Sequence, residues 1–269
     1  MLNINSFKKM KQNRDKIVMI TAYDYPSGHL VERSNTDIIL VGDSLGMVVL
    51  GYKNTLEVTL NDIIHHTKAV RRGALDTFIV ADMPFMSYHL NLNDTKLNAS
   101  KLITEAKANA VKLEGGSDSR IEAIKAIVDC EIPVVAHLGL TPQSINKFGG
   151  YKVQGKTQEK YNEILAEAIK VQQAGAFMLV LEGIPEALAK EISETLKIPT
   201  IGIGAGRYTD GQVLVYHDIL GNSDYLAKFV KTYADLDKEI PQALTEFAKE
   251  VREGLFPQAE HTYFPIEEI

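Results

Sequence analysis

The chain has 269 residues, 45% of them apolar, and a formal net charge of −6, which suits a barrel-sized core and excludes a disordered or strongly basic protein. Apart from a short N-terminal stretch, "SFKKMKQNRDK", there is no basic cluster of the kind that binds nucleic acid. A lone cysteine, Cys130, excludes an intrachain disulfide and a thiolate metal cluster, and no apolar run nears the ~18 residues of a membrane span.

The N-terminal basic stretch reads as a solvated start. With no signal-peptide apolar segment, the expected setting is a reducing cytoplasm. Eight strand-like runs then follow in order: "KIVMITAYD" (16–24), "DIILVGDS" (37–44), "FIVADMP" (78–84), "AVKLEGG" (110–116), "IPVVAHLGL" (132–140), "FMLVLEG" (177–183), "IPTIGIGAG" (198–206) and "GQVLVYHD" (211–218). Helical patterns such as "LNDIIHHTKAVRRGA", "SRIEAIKAIVDC" and "TQEKYNEILAEAIKVQQAG" lie between them, and "IPQALTEFAKEVREG" follows the last. Short strands alternating with helices predict a parallel sheet, and eight such units predict an α/β (β/α)8 TIM barrel. The alternative is an open doubly wound sheet. We read 1–269 as one barrel domain with a C-terminal helical extension. The longest irregular stretches, "SLGMVVLGYKNTLEVT" and "TPQSINKFGGYKVQGK", follow strands 2 and 5 on the face where such barrels do their chemistry.

Acids fall where these strands end: Asp43, Asp82, Glu114 and Glu182. Alternate strand residues share a face. If Asp43 points inward, so do Val41 and Ile39, leaving Leu40 under a helix. The same phase puts Asp82 with Val80 and Phe78, and Glu182 with Val180 and Met178. Lys112 shares a face with Glu114. Four carboxylates at one mouth repel one another without a counter-charge. Three of them on consecutive strands suggest a hard divalent cation such as Mg²⁺, which takes oxygen ligands. The plainer alternative is separate helix caps and surface acids. His137 shares the inward phase of strand 5, either as a satisfied core histidine or as a substrate contact. His65 and His66 lack metal-ligand spacing and read as packing or surface residues. "GIGAG" (202–206) lacks the G-x-G-x-x-G spacing of a dinucleotide site, and its glycines read as room for a ligand to approach the backbone.

The stretches "TAYDYPSG", "VGDSLGMVVLGY", "ADMPFMSY", "AVKLEGG", "HLGLTPQS", "GGYKVQGK", "LVLEGIP", "IGIGAG", "DGQVLVYHDILG" and "GLFPQAEHTYF" run in order through nearly the whole chain. In them the sequence resembles the ketopantoate (3-methyl-2-oxobutanoate) hydroxymethyltransferase family. The resemblance implies a TIM barrel that binds Mg²⁺. It implies transfer of a hydroxymethyl group from 5,10-methylenetetrahydrofolate to 3-methyl-2-oxobutanoate through a Mg-stabilised enolate, giving 2-dehydropantoate in pantothenate biosynthesis. It implies a cytoplasmic homo-oligomer, commonly a homodecamer, with no nucleic-acid or membrane partner. By the same resemblance Asp43, Asp82 and Glu114 hold the metal. Asp43, Ser44, Asp82 and Lys112 contact the keto acid, and Glu182 is the catalytic base. Two small departures are Ala136, where glycine is usual, and Asn146, where histidine is usual. The competing readings are a lyase or mutase of the phosphoenolpyruvate type, which lacks support because no reactive cysteine loop is present, and a non-catalytic barrel that binds an acidic metabolite.

Overall fold

Each of the eight apolar runs yields one parallel strand: β1 (Ile17–Thr21), β2 (Ile38–Val41), β3 (Phe78–Asp82), β4 (Ala110–Glu114), β5 (Val134–Gly139), β6 (Met178–Glu182), β7 (Thr200–Ile203) and β8 (Gly211–Leu214). The computed structural model describes residues 2–223 and 226–264. The strands pair in chain order, and β8 closes on β1 with Ile17 opposite Gly211 and Ile20 opposite Leu214, so the sheet is a closed barrel. Closure leaves no unpaired edge. Strands buried on both faces need continuous rather than alternating apolar sequence, which is what these runs supply.

One set of alternate residues fills the barrel: Met19, Ile38, Leu40, Phe78, Val80, Val135, Met178, Val180, Ile201 and Val213. The other set, including Ile39, Val41, Ile79, Leu113 and Leu181, packs with the surrounding helices. This corrects the expected phase of β2. Ile38 and Leu40 point inward, not Ile39 and Val41. The strand ends at Val41, so Gly42 and Asp43 lie in the turn beyond it, and parity counts only along extended backbone. For β3, β4, β5 and β6 the expected phase holds.

The N-terminal basic stretch is not a solvated tail. It forms helix α1 (Ile4–Asn13), whose cap Asn3 accepts from the backbone N–H groups of Asn5 and Ser6. Phe7 on that helix is wholly buried, with its ring centroid 5.1 Å from that of Phe78 and 6.5 Å from that of Phe177. Phe78 opens β3 and Phe177 immediately precedes β6, so this trio closes the N-terminal end of the barrel. Lys11 ties the helix down through Asp210 at 2.7 Å and the carbonyl of Ser193 at 2.8 Å.

The remaining helices of the barrel unit are α2 (Tyr25–Glu32), α3 (Leu45–Val48), α4 (Leu60–Gly73), α5 (Leu92–Thr104), α6 (Asp118–Val128), α7 (Ile145–Phe148), α8 (Gln158–Gln173) and α9 (Glu186–Thr195). Their starts are legible in sequence. Thr59 and Asp62 cap α4 reciprocally, with Thr59 Oγ1 accepting from the Asp62 N–H and Asp62 accepting from the Thr59 N–H. Asp24 and Ser27 do the same for α2.

By its contacts the chain divides into two units. The barrel unit comprises Met1–Tyr216 and Ala227–Val230, and the second comprises His217–Leu226 and Lys231–Ile269. After the short α10 (Tyr216–Leu220), the second unit's main element is α11 (Leu236–Glu253). No described residue of α11 is buried, and Ile240, Leu244, Phe247 and Val251 are exposed at helical spacing along it.

Candidate active site

Sheet register brings the charged residues together. Asp82 at the end of β3 pairs with Lys112 on β4, Glu114 pairs with His137 on β5, and Gly139 pairs with Glu182 on β6. All five partners with side chains line the barrel's C-terminal mouth. Gly139 allows the close approach of β5 and β6 there: its φ is +98°, and a Cβ would collide with the carbonyl oxygen of Glu182. Asp43 arrives by the turn after β2, where its backbone N–H donates to Asp82 Oδ2 at 3.0 Å.

Asp43, Ser44, Asp82, Lys112, Glu114, His137 and Glu182 line one cavity of about 110 Å³, with Leu40, Val180 and Val213 as its apolar floor and walls. Neither aspartate caps a helix, so the plain alternative of caps and surface acids does not describe them. A larger hollow of about 590 Å³ lies along the flank of β8 and β1, bordered by Lys16, Val18, Arg207, Gln212 and Phe229. No acids converge there, so the smaller cavity is the candidate site.

The charges interlock. Lys112 Nζ lies 3.0 Å from Asp82 Oδ1. His137 stands between two carboxylates, with Nδ1 3.4 Å from Glu114 Oε1 and Nε2 3.2 Å from Glu182 Oε2. The sequence left His137 open between core and substrate contact; it lines the cavity and braces the acids. Glu114 Oε2 accepts from the backbone N–H of Gln143 at 3.0 Å, so both its oxygens are engaged. Ser44 Oγ and the Tyr23 hydroxyl are 2.8 Å apart, which fixes the serine at the rim.

Burial, with the charges of Asp82 and Glu114, pushes the Asp43 carboxyl well above the usual range. Burial raises Asp82 too, against the pull of Lys112. Burial would lower Lys112, but Asp82, Glu114 and Asp43 outweigh it and hold the ammonium charged. Burial and the Lys112 charge also work against His137, yet Glu114 and Glu182 lift it to about 9. Glu114 is held low despite burial, first by its hydrogen bond to His137.

Two residues that sequence reasoning passed over complete the site. Gln143, in the 3-10 turn Pro142–Ser144 after β5, donates through Nε2 to Asp43 Oδ2 at 2.7 Å. Tyr88 donates to Gln143 Oε1 at 2.5 Å and accepts from the Glu114 N–H at 3.2 Å. The signals for Gln143 were the unusual length of its loop and its place in the stretch "HLGLTPQS". The same loop meets the one after β2, where the Tyr151 hydroxyl lies 3.4 Å from Met47 Sδ.

Among the described residues no three His, Cys, Asp or Glu side chains form a ready metal-ligand set. Asp43 and Asp82 are nevertheless brought together, and the buried Asp82 Oδ1 has no partner besides the Lys112 ammonium at 3.0 Å. That leaves an oxygen pair for a hard cation whose other ligands come from water or substrate.

The barrel with its acid-lined mouth defines the class. The chain has the (β/α)8 fold of a phosphonopyruvate hydrolase (TM-score 0.65, 11% identity, covering 99% of this chain and 93% of that one). A phosphoenolpyruvate phosphomutase from Streptomyces platensis subsp. rosaceus is similar in fold (TM-score 0.64, 13% identity, 98% and 92% covered). At these identities the likeness is one of fold. Sequence comparison is far more specific. The family model for ketopantoate hydroxymethyltransferase matches residues 1–259. A 3-methyl-2-oxobutanoate hydroxymethyltransferase from Listeria monocytogenes is 56% identical over 263 residues, covering 97% of this chain and 95% of its own. Another, from Clostridium acetobutylicum, is 55% identical over 259 residues, covering 96% and 94%. The chain therefore belongs to the ketopantoate hydroxymethyltransferase family, and it is an enzyme of that transferase class.

Proposed function

We propose that the protein transfers a hydroxymethyl group from 5,10-methylenetetrahydrofolate to 3-methyl-2-oxobutanoate, giving 2-dehydropantoate in pantothenate biosynthesis, with Mg²⁺ as its resident ion. The observation that carries this reading is the position of Glu182. It lines the cavity that Lys112 and the two aspartates share, with His137 Nε2 3.2 Å from its Oε2.

The residues fit a divalent ion. The mouth gathers four carboxylates against the ammonium of Lys112 and the imidazole of His137, formally two negative charges in excess when His137 is protonated. Asp43 and Asp82 would hold Mg²⁺ directly, Asp82 through the Oδ1 it shares with Lys112, and Glu114 would act through an ordered water. The ion supplies Lewis acidity to the keto oxygen, which acidifies the C3–H bond. Everything else falls to the chain. Glu182 takes the C3 proton. Lys112 balances the substrate carboxylate and the negative charge that moves onto the keto oxygen. Ser44 and the apolar wall around Val180 and Val213 seat the acid. The nucleophilic C3 then forms its bond to the one-carbon unit of the folate. One of the two C–N bonds that hold the methylene carbon breaks as the C–C bond forms, water displaces the second nitrogen and supplies the hydroxyl oxygen, and tetrahydrofolate leaves with a proton returned to each nitrogen.

The reading extends to the setting. We place the protein in the cytoplasm, where the exposed thiol of Cys130 stays reduced. No described helix is long and apolar enough to cross a membrane. Assembly as a homo-oligomer draws support from the exposed apolar row on α11.

Proton abstraction needs no folate, which gives the test. The enzyme with Mg²⁺ and 3-methyl-2-oxobutanoate in D₂O should exchange the C3 hydrogen, seen by proton NMR as loss of the C3 signal and collapse of the methyl doublet. Glu182→Gln should still bind the keto acid but exchange nothing, and EDTA should stop the wild type. Adding methylenetetrahydrofolate should then yield 2-dehydropantoate. Exchange that persists in Glu182→Gln removes the base assignment, and wild-type protein that forms no 2-dehydropantoate removes the reaction.

A further inference from the structure

We propose that Gln143 is a positioning residue that aims the Asp43 carboxylate, fixing one oxygen so that the other faces the cation. The inference rests on the proposed divalent-ion site.

The network admits only one orientation of the Gln143 amide. One end of the amide meets Asp43 Oδ2 at 2.7 Å and a group that can only accept, the carbonyl of Met83 at 3.0 Å. That end must be the NH₂ group, which has a proton for each. The other end meets the Tyr88 hydroxyl at 2.5 Å. Tyr88 has one proton, and its oxygen already accepts from the Glu114 N–H at 3.2 Å, so the hydroxyl proton points at Gln143 Oε1. Both directions agree, and a flipped amide would set acceptor against acceptor at Met83.

The consequence is geometric. Gln143 is buried, and its amide holds Asp43 Oδ2 in place. With Oδ2 so held, Asp43 Oδ1 would turn toward the cation. The backbone N–H of the same residue holds Glu114 Oε2 at 3.0 Å. One glutamine in the loop after β5 thus sets the aim of an aspartate after β2 and of a glutamate on β4. Partners that orient ligating carboxylates in this way change metal affinity by about 10- to 100-fold when lost.

The test is Mn²⁺ binding to the otherwise metal-free protein, titrated by electron paramagnetic resonance, with thermal melting as the control for folding. Gln143→Met keeps the length of the side chain but donates nothing. It should raise the Kd for Mn²⁺ about tenfold or more. In steady-state assays the KM for the ion should rise by a similar factor while kcat at saturating Mn²⁺ falls less. Tyr88→Phe keeps the glutamine but unlocks its amide, and should raise the Kd by a smaller factor. A merely structural role would lower the melting temperature and leave the Kd alone. Wild-type affinity in Gln143→Met overturns the proposal. Should that variant not fold, Tyr88→Phe decides: a raised Kd supports the proposal and an unchanged one overturns it. Wild-type protein that binds no Mn²⁺ removes the cation site itself. Mn²⁺ binding without any hydroxymethyl transfer would leave Gln143 in its role and remove only the proposed reaction.

Discussion

His137 is braced between Glu114 and Glu182, and that position makes a pH prediction at the scale of one residue. Its pKa rises from an ordinary 6.5 to about 9 on folding. A raised value means the folded state favours the proton. The stabilisation is fully present below about pH 6.5 and fades as pH climbs through 9. A gap of that size corresponds to about 3 kcal/mol. The melting temperature of the metal-free protein should therefore fall by several degrees more than that of His137→Asn between pH 7 and 9.5. Parallel melting curves for the two would show that the brace contributes nothing to stability. Period-2 counting from the sequence found Asp82, Lys112, Glu114, His137 and Glu182, because all five lie on extended backbone whose phase is fixed. It misplaced the neighbours of Asp43, which lies past the end of its strand. Gln143 and Tyr88 sit in stretches that the family resemblance picks out, but nothing local marks their roles. Their roles exist only once three loops meet, through hydrogen bonds spanning 100, 55 and 26 positions along the chain.

Among the elements, α1 shows where sequence patterning is weakest. Three lysines in ten residues hid an amphipathic helix whose buried contribution is a single ring, Phe7. Phe7 meets Phe78 edge-on and lies near-parallel to Phe177, at the end of the barrel opposite the acids. Phe7→Ala removes that ring from a fully packed site and should cost about 4 kcal/mol. Urea unfolding measures it, and folate-independent C3 exchange by the surviving folded protein should match wild type. A loss of exchange with unchanged stability would reverse the assignment of that end of the barrel. The strands were legible because buried parallel strands demand long apolar runs, though each strand is shorter than its run. The surplus residues turn out into the loops that carry Asp43, Ser44 and Gln143.

On the scale of the whole molecule, the apolar row of α11 is the feature that an isolated chain leaves unexplained. Ile240, Leu244, Phe247 and Val251 are each more than two-fifths exposed. Placing charge there, as in the pair Leu244→Glu and Phe247→Glu, should leave the barrel folded while shifting sedimentation velocity toward a smaller species. An unchanged sedimentation profile would rule the helix out as an assembly surface. The placement of the two carboxylates that flank the chemistry has a different consequence, for how the chain tolerates changes of length. Glu182 is locked by strand pairing. One residue that shifted the whole of β6 along its neighbours would turn Glu182, Val180 and Met178 outward together and break the core along with the base. Asp43 hangs from a turn. One residue inserted between Val41 and Asp43 would keep β2 paired and only slide the carboxylate off Gln143 and Asp82. Insertions and deletions at the cation end can thus retune the enzyme in small steps, while those at the proton-transfer end abolish it at once.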